Sequence, residues 1–95
     1  MIRHICMFTL QEDKAANAAE FVRRAESLKA IPSVRRFEVV TNDHRTPESN
    51  YNVSLIIDFD DVEGLDAYRV STEHVAFGQF VGTIRIDRAC IDYEF

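Results

Sequence analysis

Four strand-like segments and two helical regions follow one another in the order β-α-β-β-α-β, and that order narrows the fold more than any other feature of the chain. The clearest strand spans residues 51–60, where Tyr51, Val53, Leu55, Ile57 and Phe59 alternate with Asn52, Ser54, Ile56 and Asp58. Period two belongs to a pleated strand. Residues 2–10 alternate as well, with Ile2, His4, Cys6, Phe8 and Leu10 on one face and Arg3, Ile5, Met7 and Thr9 on the other. Residues 34–41 read as a second strand with Phe37 and Val39 on one face, and residues 84–95 close the chain as another.

Between the first two strands, residues 12–30 carry Ala18, Phe21, Val22, Ala25 and Leu28 at helical spacing, which forms one apolar stripe. Glu12 and Asp13 near its start and Lys29 near its end suit the helix dipole, and Pro32 stops it. Asp61 is placed to cap a helix over 62–70, with Val62, Leu65 and Tyr68 on one side. Ser71 or Thr72 then caps a further run in which His74, Phe77, Gly78 and Val81 share a face. Residues 42–50, polar and containing Pro47, read as an exposed loop. The order predicts a ferredoxin-like α+β fold: a four-stranded antiparallel sheet with helices on one side. Ninety-five residues make one domain, residues 1–95. The sheet face away from the helices would carry Ile5, Met7 and Ile56, which water does not favour. Pairing two such faces predicts a homodimer.

A formal net charge of −5, with no basic run longer than Arg23-Arg24 or Arg35-Arg36, argues against nucleic acid as a partner. Those arginines read as exposed charge, one of them able to hold a substrate carboxylate. No apolar run approaches the ~20 residues of a membrane helix. The first ten residues are too short and too alternating for a signal peptide. These readings predict a cytoplasmic protein with no membrane partner. Cys6 and Cys90 sit in apolar segments near the two ends and read as small hydrophobes with reduced thiols, although adjacent first and last strands would bring them close. No HxxxH or CxxC pair occurs, and Asp43, His44 and Glu48 fall in the polar loop, so no metal or cofactor site is expected.

The segment Tyr68-Arg69-Val70-Ser71-Thr72-Glu73-His74-Val75-Ala76-Phe77 carries the chemistry. His74 has the residue type of a general base near neutral pH, or of a helix histidine packed beside Phe77. Tyr68 can donate to a developing enolate oxygen, or simply bury its ring. His4 can add a second polar group to the same space, or be a satisfied buried imidazole.

The opening Met1-Ile2-Arg3-His4-Ile5, the strand ending at Phe59, Leu65-Asp66-Ala67-Tyr68, His74-x-x-Phe77 and the closing Asp92-Tyr93-Glu94-Phe95 together resemble the stress-responsive A/B barrel (Dabb) family over almost the whole chain. The resemblance implies a dimeric α+β barrel built from two ferredoxin-like sheets. A few plant members are polyketide cyclases. Their helix histidine acts as base, a helix tyrosine assists, and a strand-one histidine lines the cavity; by position these are His74, Tyr68 and His4. The family often reads His-Pro-x-His where this chain has Ser71-Thr72-Glu73-His74, and Phe21, Val22 and Ala25 stand where the cyclases place aromatic and tyrosine groups. Some members bind a divalent ion, but no ligand pattern here transfers one. The expectation is a homodimer with a small apolar pocket lined by Phe8, Phe21, Val22, Leu55, Ile57 and Phe77. It would be a cofactor-independent acid–base enzyme of cyclase, isomerase or lyase type, acting on a small hydrophobic or carbonyl-containing molecule. The alternative is a non-catalytic ligand-binding module. A monooxygenase or haem-handling role ranks last, since the chain has no tryptophan and no evident axial ligand.

Overall fold

A computed structural model of the chain describes residues 1–95. Strands β1 (Ile2–Leu10), β2 (Arg36–Thr41), β3 (Val53–Phe59) and β4 (Arg85–Glu94) form one sheet in the order β2-β3-β1-β4. Every neighbouring pair is antiparallel. The α-helices are α1 (Lys14–Ala25), α2 (Val62–Val70) and α3 (Thr72–Ile84). This is the ferredoxin-like arrangement that the order of periodicities predicts.

Local chemistry sets the element ends. Asp13 caps α1 by accepting from the Ala15 amide, and the expected long first helix tightens into a 3₁₀ turn over Glu26–Ala30. Its stripe still continues through, because Phe21, Ala25 and Leu28 are all fully buried. β2 starts later than expected, since the Val34 amide bonds back to the Ile31 carbonyl in a turn. β3 also starts later: the Asn52 side chain accepts from the Leu10 amide at 2.7 Å, which takes the donor a longer ladder would use. Ser71 closes α2 and opens α3. Its hydroxyl donates to the Tyr68 carbonyl at 2.7 Å and accepts from the His74 amide at 3.1 Å. Val62 is 53% exposed rather than packed with Leu65 and Tyr68. Three-residue spacing drifts about 60° per step around a 3.6-residue helix, and the first residue leaves the buried face.

The core lies between the helices and the face of Cys6, Phe8, Leu10, Val53, Leu55, Ile57 and Phe59. On the other face, the register lines up Ile56, Ile5 and Ile91 across β3, β1 and β4. Ile91, Tyr93, Val40 and Phe95 on this side are exposed. Beside them Arg3 grips buried Asp58 through two hydrogen bonds of 2.8 and 2.9 Å, and that guanidinium holds the carboxyl below its usual range. The arginine pairs are tied into surface ion pairs: Arg23 and Arg24 with Glu20, Arg35 with Asp60, Arg36 with Glu38. No helix is long and apolar enough to cross a membrane.

Candidate functional site

β1 brings His4 to the helix-facing side of the sheet, where it is 5% exposed and stands directly opposite Asp92 of β4. Its Nδ1 lies 2.5 Å from Asp92 Oδ1, and Asp92 Oδ2 accepts from Arg69 at 3.1 Å. From the other side, the α2–α3 corner presents Tyr68 and His74. The Tyr68 ring sits between the two imidazoles, its centroid 6.0 Å from His4 and 4.6 Å from His74. All three line one cavity of about 190 Å³. Cys6, Phe8, Leu55, Phe77 and Val81 form its apolar wall, with Arg85 and Arg88 at the β4 side.

The tautomer of His74 follows from its partner. Nδ1 is 3.0 Å from the Arg69 carbonyl oxygen. A carbonyl only accepts, so Nδ1 carries the proton and Nε2 keeps the lone pair. Burial disfavours the imidazolium and lowers the His74 pKa below 6.5; the Arg69 carbonyl opposes this, while His4 and the arginines Arg69 and Arg88 reinforce it. The neutral, basic form therefore prevails at neutral pH. Burial pushes the Tyr68 phenol above its usual range, against the pull of Arg69 and Arg88, so it stays a protonated donor. The two groups thus hold complementary states, a base beside an acid.

The sign of the resulting pH effect is fixed. Between the lowered folded-state pKa and about 6.5 the unfolded chain binds more protons at His74 than the folded one. The contribution of His74 is therefore present above pH about 6.5 and is lost as pH falls through the folded-state value. The imidazole resonances of His74, followed by NMR against pH, are expected to titrate with a midpoint below 6.5. A midpoint at or above the free-histidine value would contradict the buried-base geometry.

The cavity gathers His4, Tyr68, His74, Phe8, Leu55 and Phe77 from among the expected site residues. Phe21, Val22 and Ile57 are not on its wall. Phe21 and Ile57 are fully buried core, and Val22 lies partly buried on α1. The cavity opens beneath α2 and α3, over the β1–β4 side, and Phe21 of α1 packs behind its wall, against Phe8 and Phe77. Residue patterns overlooked Asp92, Arg85, Arg88 and Val81. The signal for Asp92 and Arg88 was the β1–β4 register, which sets them opposite His4 and Phe8.

The same register opposes Cys6 to Cys90, with Cα atoms 4.2 Å apart, and the two are joined as a disulfide. This corrects the reading of them as separate reduced thiols. Donor atoms of His4, Cys6 and Cys90 lie within 4.8 Å of one another. Ligands paired across strands leave no short sequence motif.

The sequence profile of the stress responsive A/B barrel domain family matches residues 2–95. A dimeric protein of unknown function with a ferredoxin-like fold from Bacteroides fragilis is 32% identical, with a TM-score of 0.86 over 99% of this chain and 95% of that one. A Dabb family protein from Mesorhizobium loti is 27% identical, with a TM-score of 0.83 over 99% and 95%. An antibiotic biosynthesis monooxygenase, 12% identical, has a TM-score of 0.80 over 100% and 98%, which shows a shared fold alone. No curated protein matches the sequence. With its fold and the family profile in agreement along nearly its full length, the chain belongs to the stress responsive A/B barrel domain (Dabb) family.

Proposed function

We propose that the cavity is the active site of a cofactor-independent acid–base enzyme that removes a proton next to the carbonyl of a small molecule. The observation that carries this reading is the convergence of His74, Tyr68 and His4 on one cavity, with Nε2 of His74 free to accept a proton. His74 takes the α proton through Nε2. Tyr68 donates to the carbonyl oxygen as it becomes an enolate. His4, held by Asp92, orients the substrate or an adjacent water. Arg85 and Arg88 favour a guest that is anionic or becomes so. The enolate then isomerises, cyclises or changes a carbon–carbon bond. At about 190 Å³ the space is below that of drug-sized sites, roughly 300–1,000 Å³, and suits a small substrate.

The reading includes a homodimer joined through the Ile56–Ile5–Ile91 face, supported by the dimeric Bacteroides fragilis relative. It places the protein in the cytoplasm, acting on small molecules and without nucleic acid, which the net charge of −5 disfavours.

The test is exchange of α protons for deuterium in a panel of β-keto acids and 1,3-diketones, followed by NMR. Wild-type protein is expected to accelerate exchange for at least one compound, and His74→Gln to lower that acceleration roughly 10²-fold. Full exchange by His74→Gln would remove His74 as the base. A second reading, a module that only holds a ligand, draws on Arg85 and Arg88, which can retain an anion without chemistry. Binding of a panel compound with no exchange at all would favour it.

A further inference from the structure

The wall of the cavity holds a second constellation, which shares His4 and Asp92 with the acid–base reading and adds two cysteines that it does not use. Cys6 is 3% exposed and faces the same space as His4. Cys90 is exposed and shares a second opening with His4, Tyr68, Arg69, His74 and Arg88. One donor atom from each of His4, Cys6 and Cys90 falls within a 4.8 Å circle. A zinc ion bound at ~2.3 Å by sulfur and ~2.0–2.1 Å by imidazole nitrogen sets its ligand atoms roughly 3.6 Å apart. Small rotations about the side-chain bonds of opposed strand residues reach that spacing.

A second observation points the same way. Histidines that bind metals usually give their other ring N–H to a carboxylate, which fixes the tautomer and raises the basicity of the ligating nitrogen. His4 has this partner: Nδ1 meets Asp92 at 2.5 Å, and Asp92 is itself held by Arg69 at 3.1 Å. Nδ1 is thereby committed, and Nε2 remains as the ligand atom. Two thiolates and one imidazole are a soft, nitrogen-and-sulfur set that selects zinc over magnesium or calcium. Three protein ligands leave a fourth position open, as in zinc sites that accept water or a guest molecule.

We propose that the reduced Cys6–Cys90 pair and His4 form a site for one zinc ion per chain, with Asp92 as the outer partner of His4 and the fourth position open to the cavity. Reduction comes first. A dithiol gives two electrons and two protons to the Cys6–Cys90 bond, becoming a disulfide itself and leaving two thiols. Zinc then displaces the two thiol protons. Exposed Cys90 gives the reductant its point of attack. The β1–β4 ladder, registered from Ile2 opposite Glu94 to Thr9 opposite Asp87, keeps the strands aligned once the covalent link is gone. The site alternates between a covalently closed form and a metal-loaded one, according to thiol status.

The test uses cobalt chloride as the probe, added to the full chain after reduction by a phosphine. The expected result is thiolate-to-cobalt charge-transfer absorption that saturates at one ion per chain and is bleached by zinc. Oxidised wild-type protein is expected to give none, and since it is the same folded polypeptide, misfolding cannot explain that loss. Cys90→Ser is expected to lose the band. Asp92→Asn is expected to bind 10- to 100-fold more weakly, the usual effect of losing an outer partner. No band in the reduced wild type, an equal band in the oxidised protein, a band that survives Cys90→Ser, or unchanged affinity in Asp92→Asn would overturn the proposal. The assay reads metal uptake alone, so its outcome is separate from that of the acid–base reading, which stands or falls with His74.

Discussion

Replacing Phe21 with alanine is expected to lower the unfolding free energy by about 3–5 kcal/mol. Phe21 is fully buried, and its ring lies 5.3 Å from that of Phe8 and 5.2 Å from that of Phe77. Alanine there loses the transfer free energy of the ring and leaves a void that helix and sheet can only partly close. Small domains have about 5–15 kcal/mol in total, so the variant should retain a fraction of wild-type stability. Urea unfolding checks this, through a lowered midpoint at unchanged slope. The measurement also separates two assignments of the residue. A side chain on the cavity wall would leave space already empty, and its removal would act on ligand affinity more than on stability. A loss below about 1 kcal/mol would return Phe21 to the cavity lining.

The second large effect concerns the outer face of the sheet. Ile91→Glu is expected to weaken the proposed homodimer roughly 10³-fold or more while leaving each chain folded. Ile91 is 57% exposed in the single chain, so the substitution disturbs no core. In the register it stands beside Ile5, which in turn stands beside Ile56. Facing copies of this row would bury a new carboxylate without a partner. A two-fold interface repeats each substitution, so two charges are introduced together. An unpaired charge costs several kcal/mol to bury, and about 4 kcal/mol corresponds to a 10³-fold change in dissociation constant. Sedimentation over a range of concentrations distinguishes the outcomes. A dimer of wild-type affinity would move the contact away from this face.

Much of the architecture was legible from local pattern. Alternation in β1 and β3 sorted their side chains onto two faces correctly, because a strand reverses its side-chain direction at every residue. Asp61 and Ser71 were legible as caps because a short polar side chain before an apolar run has a local amide to satisfy. Tyr68 and His74 could be placed on one corner for the same reason. Phe21 and Ile57 show where pattern stops. Both lie on apolar faces that point inward, and nothing in periodicity distinguishes an inward residue that meets another side chain from one that meets a cavity. That distinction depends on where α1 ends its cover of the sheet and α2 and α3 begin theirs.

Register marks the other boundary. Local pattern told which strand residues face inward and which outward, which residues cap the later helices, and that both sheet faces are apolar, since these follow from backbone geometry within a few residues. That Asp92 meets His4, that Cys90 meets Cys6, and that Arg88 reaches the cavity came from the folded arrangement. Each follows from the pairing of β1 with β4, whose partners here lie 80 or more residues apart along the chain. Such pairings are set by how two strands slide against one another until their inward faces coincide, and a shift of one residue would turn every partner to the opposite side.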